Sequence, residues 1–475
     1  MRRRDFLAGS AWMGAAAIAG GCMSRRMPTG QAKIDFAVPP LKKVRVGVVG
    51  VGHRGPGAVH RLSMIPGVTV TAICDVRPEK AQEQAAWLKD KGKPEPRLYT
   101  DSAEAWKRLC ESDEVDLVYN VTPWSLHAPI ALYAMEHGKH VAIEVPAAMT
   151  VDECWALVET CERTGCHCMQ LENCCYGEIE MLAQNLIDKG LLGTLVHGEC
   201  AYIHDLRASM YTDPNDNGYY EYWRLKWNST HKGNQYTTHG FGPMCWHFEI
   251  NRGDRLDYLV SLESNPTNLA EYAGEHFPAD SWQAKLRPEM GDMNTTLIKT
   301  AKGRSIMLQH DVASPRPYSR IGLVSGTKGI IADYPPRLSF AEKNPKRGSH
   351  GGWMNDKDFA EARAKYRHPL WKKAGEIAAK VGGHGGMDFL MDLRLAYCLQ
   401  NGLPLDQSVY DLAAWCSIAE LSEISARGGS CPQKIPDFTR GAWEKVRSLP
   451  NFDIDLAKMG ISQGSTRKDE SALNV

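Results

Sequence analysis

The sequence predicts an α/β fold: an N-terminal Rossmann doubly wound parallel sheet, then an α+β domain built on a large, mostly antiparallel sheet. Three observations predict it. Val44 to Asp75 reads as one βαβ unit, strand-like and helix-like stretches alternate as far as Glu172, and from Leu195 onward apolar strands follow one another without intervening helices.

Within the first unit, a buried apolar run (Val44, Val46, Val48, Val49) leads into Gly50-x-Gly52-x-x-Gly55. A helix-like stretch follows, and a second strand, Val68 to Cys74, ends at Asp75. Gly50 permits a tight turn, Gly52 lets backbone approach a pyrophosphate, and Gly55 lets the helix pack closely on its strand. The helix N-terminus then faces the phosphates. Asp75, about 25 residues beyond the first glycine, is placed to accept hydrogen bonds from ribose hydroxyls and to repel a 2′-phosphate, so the expected cofactor is NAD.

Further along, Pro78 to Lys91 and Ser102 to Glu111 have helical patterns, and Leu117 to Val121 is a strand that ends at Thr122-Pro123-Trp124. A helix runs through His137 and a strand covers Val141 to Glu144. Thr150 with Glu153 forms a capping box for a helix to Thr164. His167 to Glu172 is a short strand, and Ile179 to Lys189 is an amphipathic helix. The second sheet is expected from Val196–His204, Leu256–Glu263, Thr295–Thr300, Ser305–Asp311 and Arg320–Ser325, with late helices at Met387–Leu399 and Tyr410–Arg427. The segment from Leu206 to Thr238, rich in Tyr, Trp and Asn, is long for a loop inside a compact domain, which points to function. In an open parallel sheet, ligands sit at the carboxyl ends of the strands. Trp124, His127, Glu144 and Asn173 all lie there.

The first 31 residues read as a signal: Arg2-Arg3-Arg4-Asp5-Phe6-Leu7 precedes a weakly apolar stretch, which resembles a twin-arginine export signal. Ala19-Gly20-Gly21-Cys22 resembles a lipoprotein box, with Cys22 as the lipid anchor. Export of folded protein suits an enzyme that loads its cofactor first. The location expected is periplasmic, or anchored to a membrane as a lipoprotein. Residues 32–42 read as a linker, 43–166 as the dinucleotide domain, 167–452 as the substrate domain and 453–475 as a polar, fraying tail. The formal net charge is zero, which gives no electrostatic reason for a nucleic-acid partner. The 14 cysteines, among them Cys161, Cys166, Cys168, Cys174 and Cys175, lack CxxC pairs and matched histidines. They read as buried thiols, with no metal site. No stretch is long and apolar enough for a transmembrane helix.

Gly50-Val51-Gly52, Thr122-Pro123-Trp124-Ser125-Leu126-His127, Gly138-Lys139-His140-Val141 and Glu144-Val145-Pro146 occur in the order seen in the glucose-fructose oxidoreductase and inositol dehydrogenase superfamily. More narrowly, Glu144 to Ala148, Glu172 to Gly177, Tyr202 to Arg207, Tyr236 to Gly240 and Gly291 to Asn294 resemble glycoside hydrolase family 109. That family consists of NAD-dependent α-N-acetylgalactosaminidases. One departure from the superfamily is informative: the sugar dehydrogenases have a lysine where this chain has Val145, and valine cannot carry a proton.

The resemblance implies a glycosidase without the usual carboxylate pair. NAD oxidises C3 of a terminal α-linked N-acetylgalactosamine, a base removes the C2 proton, the aglycone leaves from C1, water adds, and C3 is reduced again. His53, Arg54, Asp75, Trp124, Ser125, Leu126, His127, Glu144, Val145 and Asn173 would line the NAD. Tyr202, Arg224, Tyr236, Thr237, Thr238, His239 and Tyr318 would hold the sugar. Glu144 is also a catalytic candidate, and Tyr176, Tyr236 and His239 are open as the base; histidine suits neutral pH best. The role of His384, in a run of glycines, is open. A homodimer is expected. The alternatives are an exported NAD-dependent sugar oxidoreductase and a sugar-binding lipoprotein that keeps NAD as a structural element.

Overall fold

The computed structural model describes residues 32–342, 351–446 and 452–461. Six parallel strands form the first sheet: β1 (Val44–Val49), β2 (Val68–Cys74), β3 (Arg97–Tyr99), β4 (Leu117–Asn120), β5 (His140–Ile143) and β6 (Cys168–Gln170). Their order is β3-β2-β1-β4-β5-β6. The direction of winding therefore reverses between β1 and β4, the place where such sheets open a crevice for a dinucleotide. Strands β1, β4 and β5 are almost wholly buried, as expected for a sheet covered on both faces. The last strand falls beyond residue 166, so the parallel sheet extends past the expected domain boundary. Cys168–Gln170 pairs with Val141–Ile143 and closes that edge.

Eight strands form the second sheet: β7 (Leu195–Ile203), β8 (Leu256–Glu263), β9 (Asn294–Thr300), β10 (Ser305–Asp311), β11 (Leu323–Gly326), β12 (Gly329–Ala332), β13 (Arg337–Phe340) and β14 (Gln433–Lys434). The order is β13-β12-β11-β7-β10-β9-β8-β14, and every pairing is antiparallel except β7 with β10. Helices do interrupt this run, contrary to the sequence expectation. Trp223–Asn228 and Thr238–His247 lie between β7 and β8, and Asn268–His276 lies between β8 and β9. They were hidden because Thr238–His247 is buried nearly all round and contains two glycines and Pro243, so it shows no polar face.

Two segments expected to be loose are packed. In the 32–42 stretch Ile34 is buried, the Lys33 amide donates to the Tyr410 hydroxyl at 2.8 Å, the Leu41 amide to the Leu399 carbonyl, and Phe36 stacks on His167. At the other end Phe452, Ile454, Leu456 and Met459 are buried, with the Phe452 ring 4.9 Å from Trp246. Alternating apolar residues dock this part of the tail; the signal and Cys22 lie outside the described residues. No described helix is long and apolar enough to cross a membrane. The described cysteines are free thiols, all buried except Cys431.

Candidate active site

The glycine turn has the geometry its sequence implies. Gly50 has φ +90°, and a Cβ there would sit 2.7 Å from the Val121 carbonyl, so the loops after β1 and β4 meet only because this residue is glycine. A Cβ on Gly55 would collide with the Gly50 carbonyl, and one on Gly52 with the Arg77 guanidinium. Asp75, buried at the end of β2, accepts the Val51 amide at 2.7 Å and the Arg77 amide at 2.9 Å. It therefore fixes the turn. Arg77 Nε is buried without a hydrogen bond but lies 3.7 Å from Asp75 Oδ1, so acid and guanidinium face each other at the ribose end. A side-chain-free cradle with a buried acid and its arginine at one end fits a dinucleotide.

Arg54, at the start of the first helix, lies 3.5 Å from Glu144 and 3.5 Å from Asp388, and 3.4 Å from His384 Nδ1. Asp388 also accepts from His384 at 2.9 Å and from Asn173 at 2.5 Å. Burial alone would raise its carboxyl, but His384, Arg54 and Arg61 hold it well below the usual carboxylate range. Asp388 was missed from sequence, yet it gathers Arg54, Asn173 and His384 into one network. The run Gly382–Gly386 has positive φ throughout, including His384 at +46°, and this bend brings the imidazole back onto Asp388.

His127 and the residues beside it are placed differently from one another. The His127 ring is buried between the Pro146 and Thr122 carbonyls, 2.7 and 2.6 Å from its nitrogens. Burial lowers its pKa more than these acceptors raise it. Its side chain braces the ends of β4 and β5 instead of facing the crevice. Ser125 and Leu126 are exposed on the turn beside it, and His53 is exposed with its ring 5.5 Å from Tyr219.

A second apolar cluster, separate from the main core, contains Trp124, Val145, Tyr202 and Tyr236, and the Leu206–Thr238 segment packs Tyr219, Trp223 and Trp227 against it. Arg224 lies in its middle, 5.0 Å from the Tyr236 ring, 5.3 Å from Trp124 and 5.9 Å from Tyr202. Its guanidinium is buried and donates to the Tyr219 hydroxyl at 3.2 Å, while its Nε has no partner. A buried cation cushioned by rings is waiting for a polar group. The Tyr236 and Tyr202 rings lie 4.4 Å apart, tilted at 41°, Tyr202 bonds His204 Nδ1 at 3.0 Å, and Tyr318 lies 5.2 Å from His204.

His239 joins this cluster to the Rossmann half. Its Nδ1 is 2.9 Å from Glu172 Oε1, and its Nε2 is 3.3 Å from the Tyr236 hydroxyl. Glu172 is fully buried; burial would raise its carboxyl, but His239 and the Cys174 amide hold it below its ordinary value. Two glycines permit the arrangement. A Cβ on Gly240 would strike the Ala201 backbone at 2.5 Å, and one on Gly242 would lie 2.8 Å from Glu172. Glu172 lies in the Glu172–Gly177 stretch directly before Asn173, and its pairing with a histidine 67 residues away is set by the fold, not by any local signal. Glu172, Cys174 and His239 each bring one ligating atom within 4.8 Å of the others. Burial keeps the Cys174 thiol protonated and Nδ1 is committed to Glu172, so the trio is a hydrogen-bonded pair beside a neutral thiol.

Two expected residues, Tyr176 and Thr237, point elsewhere. Tyr176 is fully buried with its hydroxyl on Asp406 at 3.0 Å, and burial pushes its pKa far up, so it is a core residue and not an acid or base. Thr237 donates its hydroxyl to the Trp415 carbonyl at 3.0 Å and so is committed to the core, whereas the buried Thr238 hydroxyl has no hydrogen-bond partner.

Residues 176–445 match the family described as glycosyl hydrolase 109, C-terminal domain, and residues 44–171 match the oxidoreductase family with an NAD-binding Rossmann fold. The chain is 47% identical over 430 residues to an α-N-acetylgalactosaminidase of Bacteroides fragilis, covering 90% of this chain and all of that protein. The chain belongs to glycosyl hydrolase family 109. A family 109 protein of Porphyromonas gingivalis is 45% identical over 424 residues, covering 87% of this chain and 88% of that one. Levoglucosan dehydrogenase, solved with NADH and levoglucosan, superposes with a TM-score of 0.59 at 19% identity, covering 83% of this chain and all of that chain. An oxidoreductase domain protein from Kribbella flavida gives 0.61 at 18%, with 83% and 100% covered. At such identities these two show the fold alone. In family 109 terms, the glycine turn and Asp75 belong to the NAD-binding half, and the Tyr202–Arg224–Tyr236–His239 cluster to the family's own C-terminal domain.

Proposed function

We propose that the protein is an NAD-dependent α-N-acetylgalactosaminidase that opens its glycosidic bond by elimination. The observation that carries this is identity at the 47% level, across the whole of a protein so named, in a chain whose candidate site has a buried Glu172–His239 pair. NAD, when bound, supplies a two-electron acceptor for C3 of the sugar that later returns what it took. Gly50 to Arg54, Asp75, Glu144 and Asn173 would hold it.

The chain's own residues account for the C2 proton. Glu172 accepts from His239 Nδ1, which fixes the tautomer and leaves the lone pair on Nε2 facing the cluster. Burial, the largest influence, raises the Tyr236 phenol well above its ordinary value, so Tyr236 stays neutral and does not serve as the base. His239 Nε2 therefore takes the C2 proton, the step that allows the aglycone to leave C1. Arg224, with its free Nε, stabilises negative charge developing on the sugar oxygen within a ring of aromatic side chains. Val145 is buried in this cluster and leaves no lysine to compete for the proton.

Protein purified with its cofactor should release the aglycone from a chromogenic α-N-acetylgalactosaminide while neither reduced cofactor nor ketosugar builds up. Ketosugar accumulating in step with cofactor reduction would make it a sugar oxidoreductase instead. The proposal extends to twin-arginine export with Cys22 acylated; labelling by radioactive palmitate that survives Cys22→Ser would refute the anchor. It also extends to a homodimer through the open face of the second sheet, where Tyr258, Leu262 and Leu297 are exposed. Sedimentation as a monomer at micromolar concentration would count against that.

A further inference from the structure

Three neighbouring strands, β2, β1 and β4, end at the dinucleotide crevice, and one segment of the second domain reaches the loop after each of them. Beyond β2, the Arg77 guanidinium lies over the Tyr220 ring, 5.5 Å from its centre. Beyond β1, the Tyr219 and His53 ring centres are 5.5 Å apart, and beyond β4 Trp223 meets Trp124 edge-on at 4.9 Å. Aromatic side chains at 219, 220 and 223 thus cross the mouth of the crevice from the ribose end to the switch between β1 and β4.

The foot of this segment is fixed and its tip is not. Tyr211 is buried, donates to the Leu269 carbonyl at 3.3 Å and stacks on Tyr272. A tight loop then closes on Asp213, whose carbonyl accepts the Asp216 and Gly218 amides at 2.9 Å, and turns the chain back over the crevice. Asn217, Glu221 and Tyr222 have φ of +68, +49 and +54°, a region that residues other than glycine rarely adopt, so strained backbone flanks the tip on both sides. Among the described residues the tip makes no hydrogen bond to the Rossmann half, and the ring contacts alone seat it. Such contacts are individually weak, so the tip can lift while the foot stays. Beneath it lie the glycine turn and the Asp75–Arg77 pair, with Arg77 Nε buried and without a hydrogen bond.

We propose that residues 212–223 are a strap that closes over the dinucleotide and holds it through many turnovers, with Tyr220 covering the adenosine end. The proposal rests on the glycosidase function argued above. A reaction that returns its electrons to the same sugar never needs a fresh cofactor, whereas one that trades reduced for oxidised cofactor in every cycle needs an open crevice. The lifted tip admits the dinucleotide, and the shut tip makes its exit slow. Tyr219, which accepts from Arg224 at 3.2 Å, ties the shut strap to the sugar cluster.

The test follows cofactor exchange. Protein loaded with NAD is chased with an excess of its ethenoadenine analogue, whose fluorescence reports uptake. Exchange in the parent protein should be at least a hundredfold slower than turnover, and Tyr220→Ala should speed it at least tenfold. The same variant should weaken the binding of ADP-ribose at least tenfold and leave that of nicotinamide mononucleotide within twofold, because Tyr220 lies at the adenosine end. Chymotrypsin gives a reading that needs no variant: NAD should slow cleavage after Tyr219, Tyr220 and Tyr222 at least tenfold, relative to protein stripped of cofactor, and more than it slows cleavage elsewhere. Exchange no faster in Tyr220→Ala than in the parent, or strap cleavage that NAD does not slow, would overturn the strap and leave the glycosidase function standing. A parent protein that swaps its cofactor at every turnover, with ketosugar appearing, would instead overturn the underlying function and take the strap with it.

Discussion

At the scale of single residues, the account turns on one imidazole and the carboxylate behind it. His239→Ala removes the base, and kcat should fall by about 10²–10⁴-fold. Glu172→Gln leaves the ring in place but withdraws the charge that steadies its protonated form. Its kcat should also fall, and the acid limb of kcat/KM against pH should move to lower pH, a displacement that a merely structural residue would not cause. Tyr176→Phe should retain nearly full activity and lose about 1 kcal/mol of stability, because Asp406 keeps its Arg394 partner at 2.6 Å. Urea melts and initial rates on the same preparations separate these outcomes. A sequence motif shows that Tyr176, Thr237 and Thr238 lie near the chemistry but not which way each side chain turns. Tyr176 sits on a short helical turn that points it into the core, two residues after Cys174 and four after Glu172. Glu172 was legible only in retrospect, since its partner is 67 residues away and pairing at that distance is set by the fold.

At the scale of elements, local signals were read where they are local. The Thr150–Glu153 capping box is present with both of its hydrogen bonds, at 3.1 and 3.2 Å, and the Val68–Cys74, Leu256–Glu263 and Ser305–Asp311 strands match their expected bounds. Thr150→Ala should cost about 1 kcal/mol in a denaturant melt without changing KM, since the hydroxyl it removes bonds the Glu153 amide at the start of the helix Val151–Thr164, while the Glu153 carboxylate keeps its bond to the Met149 amide. Elements that depend on partners went unread. Arg97–Tyr99, the β12 to β14 strands and the helix Thr238–His247 are either too short for a period or buried on all sides. The last of these carries His239, so the helix that matters most had the weakest pattern.

At the scale of the whole molecule, acid should loosen the fold for a nameable reason. His167 and His310 are buried with pKa values lowered to about 3, and His368 with one lowered to about 4, in each case chiefly by burial. The folded state binds fewer protons than the unfolded chain between those values and about 6.5, so stability is complete above pH 6.5 and drains away as the pH falls towards 3. At pH 5 each histidine withdraws about 2 kcal/mol, and thermal unfolding followed from pH 7 to pH 5 should show the loss; His310→Gln should flatten it. The division into a parallel dinucleotide half and a second, mainly antiparallel sheet was legible in the alternation of apolar runs, because strand and helix periods survive without tertiary information. The docking of residues 32–42 and 452–461 was not, because Ile34, Phe36, Phe452 and Ile454 are apolar singles, and partners such as His167 for Phe36 and Trp246 and His368 for Phe452 are far off in sequence. The central claim, that the sugar's C2 proton is removed and replaced during cleavage, is tested most directly by turnover in deuterium oxide. Mass and NMR analysis of the released N-acetylgalactosamine should find one deuterium at C2. Full release of the sugar with hydrogen retained there would contradict the account.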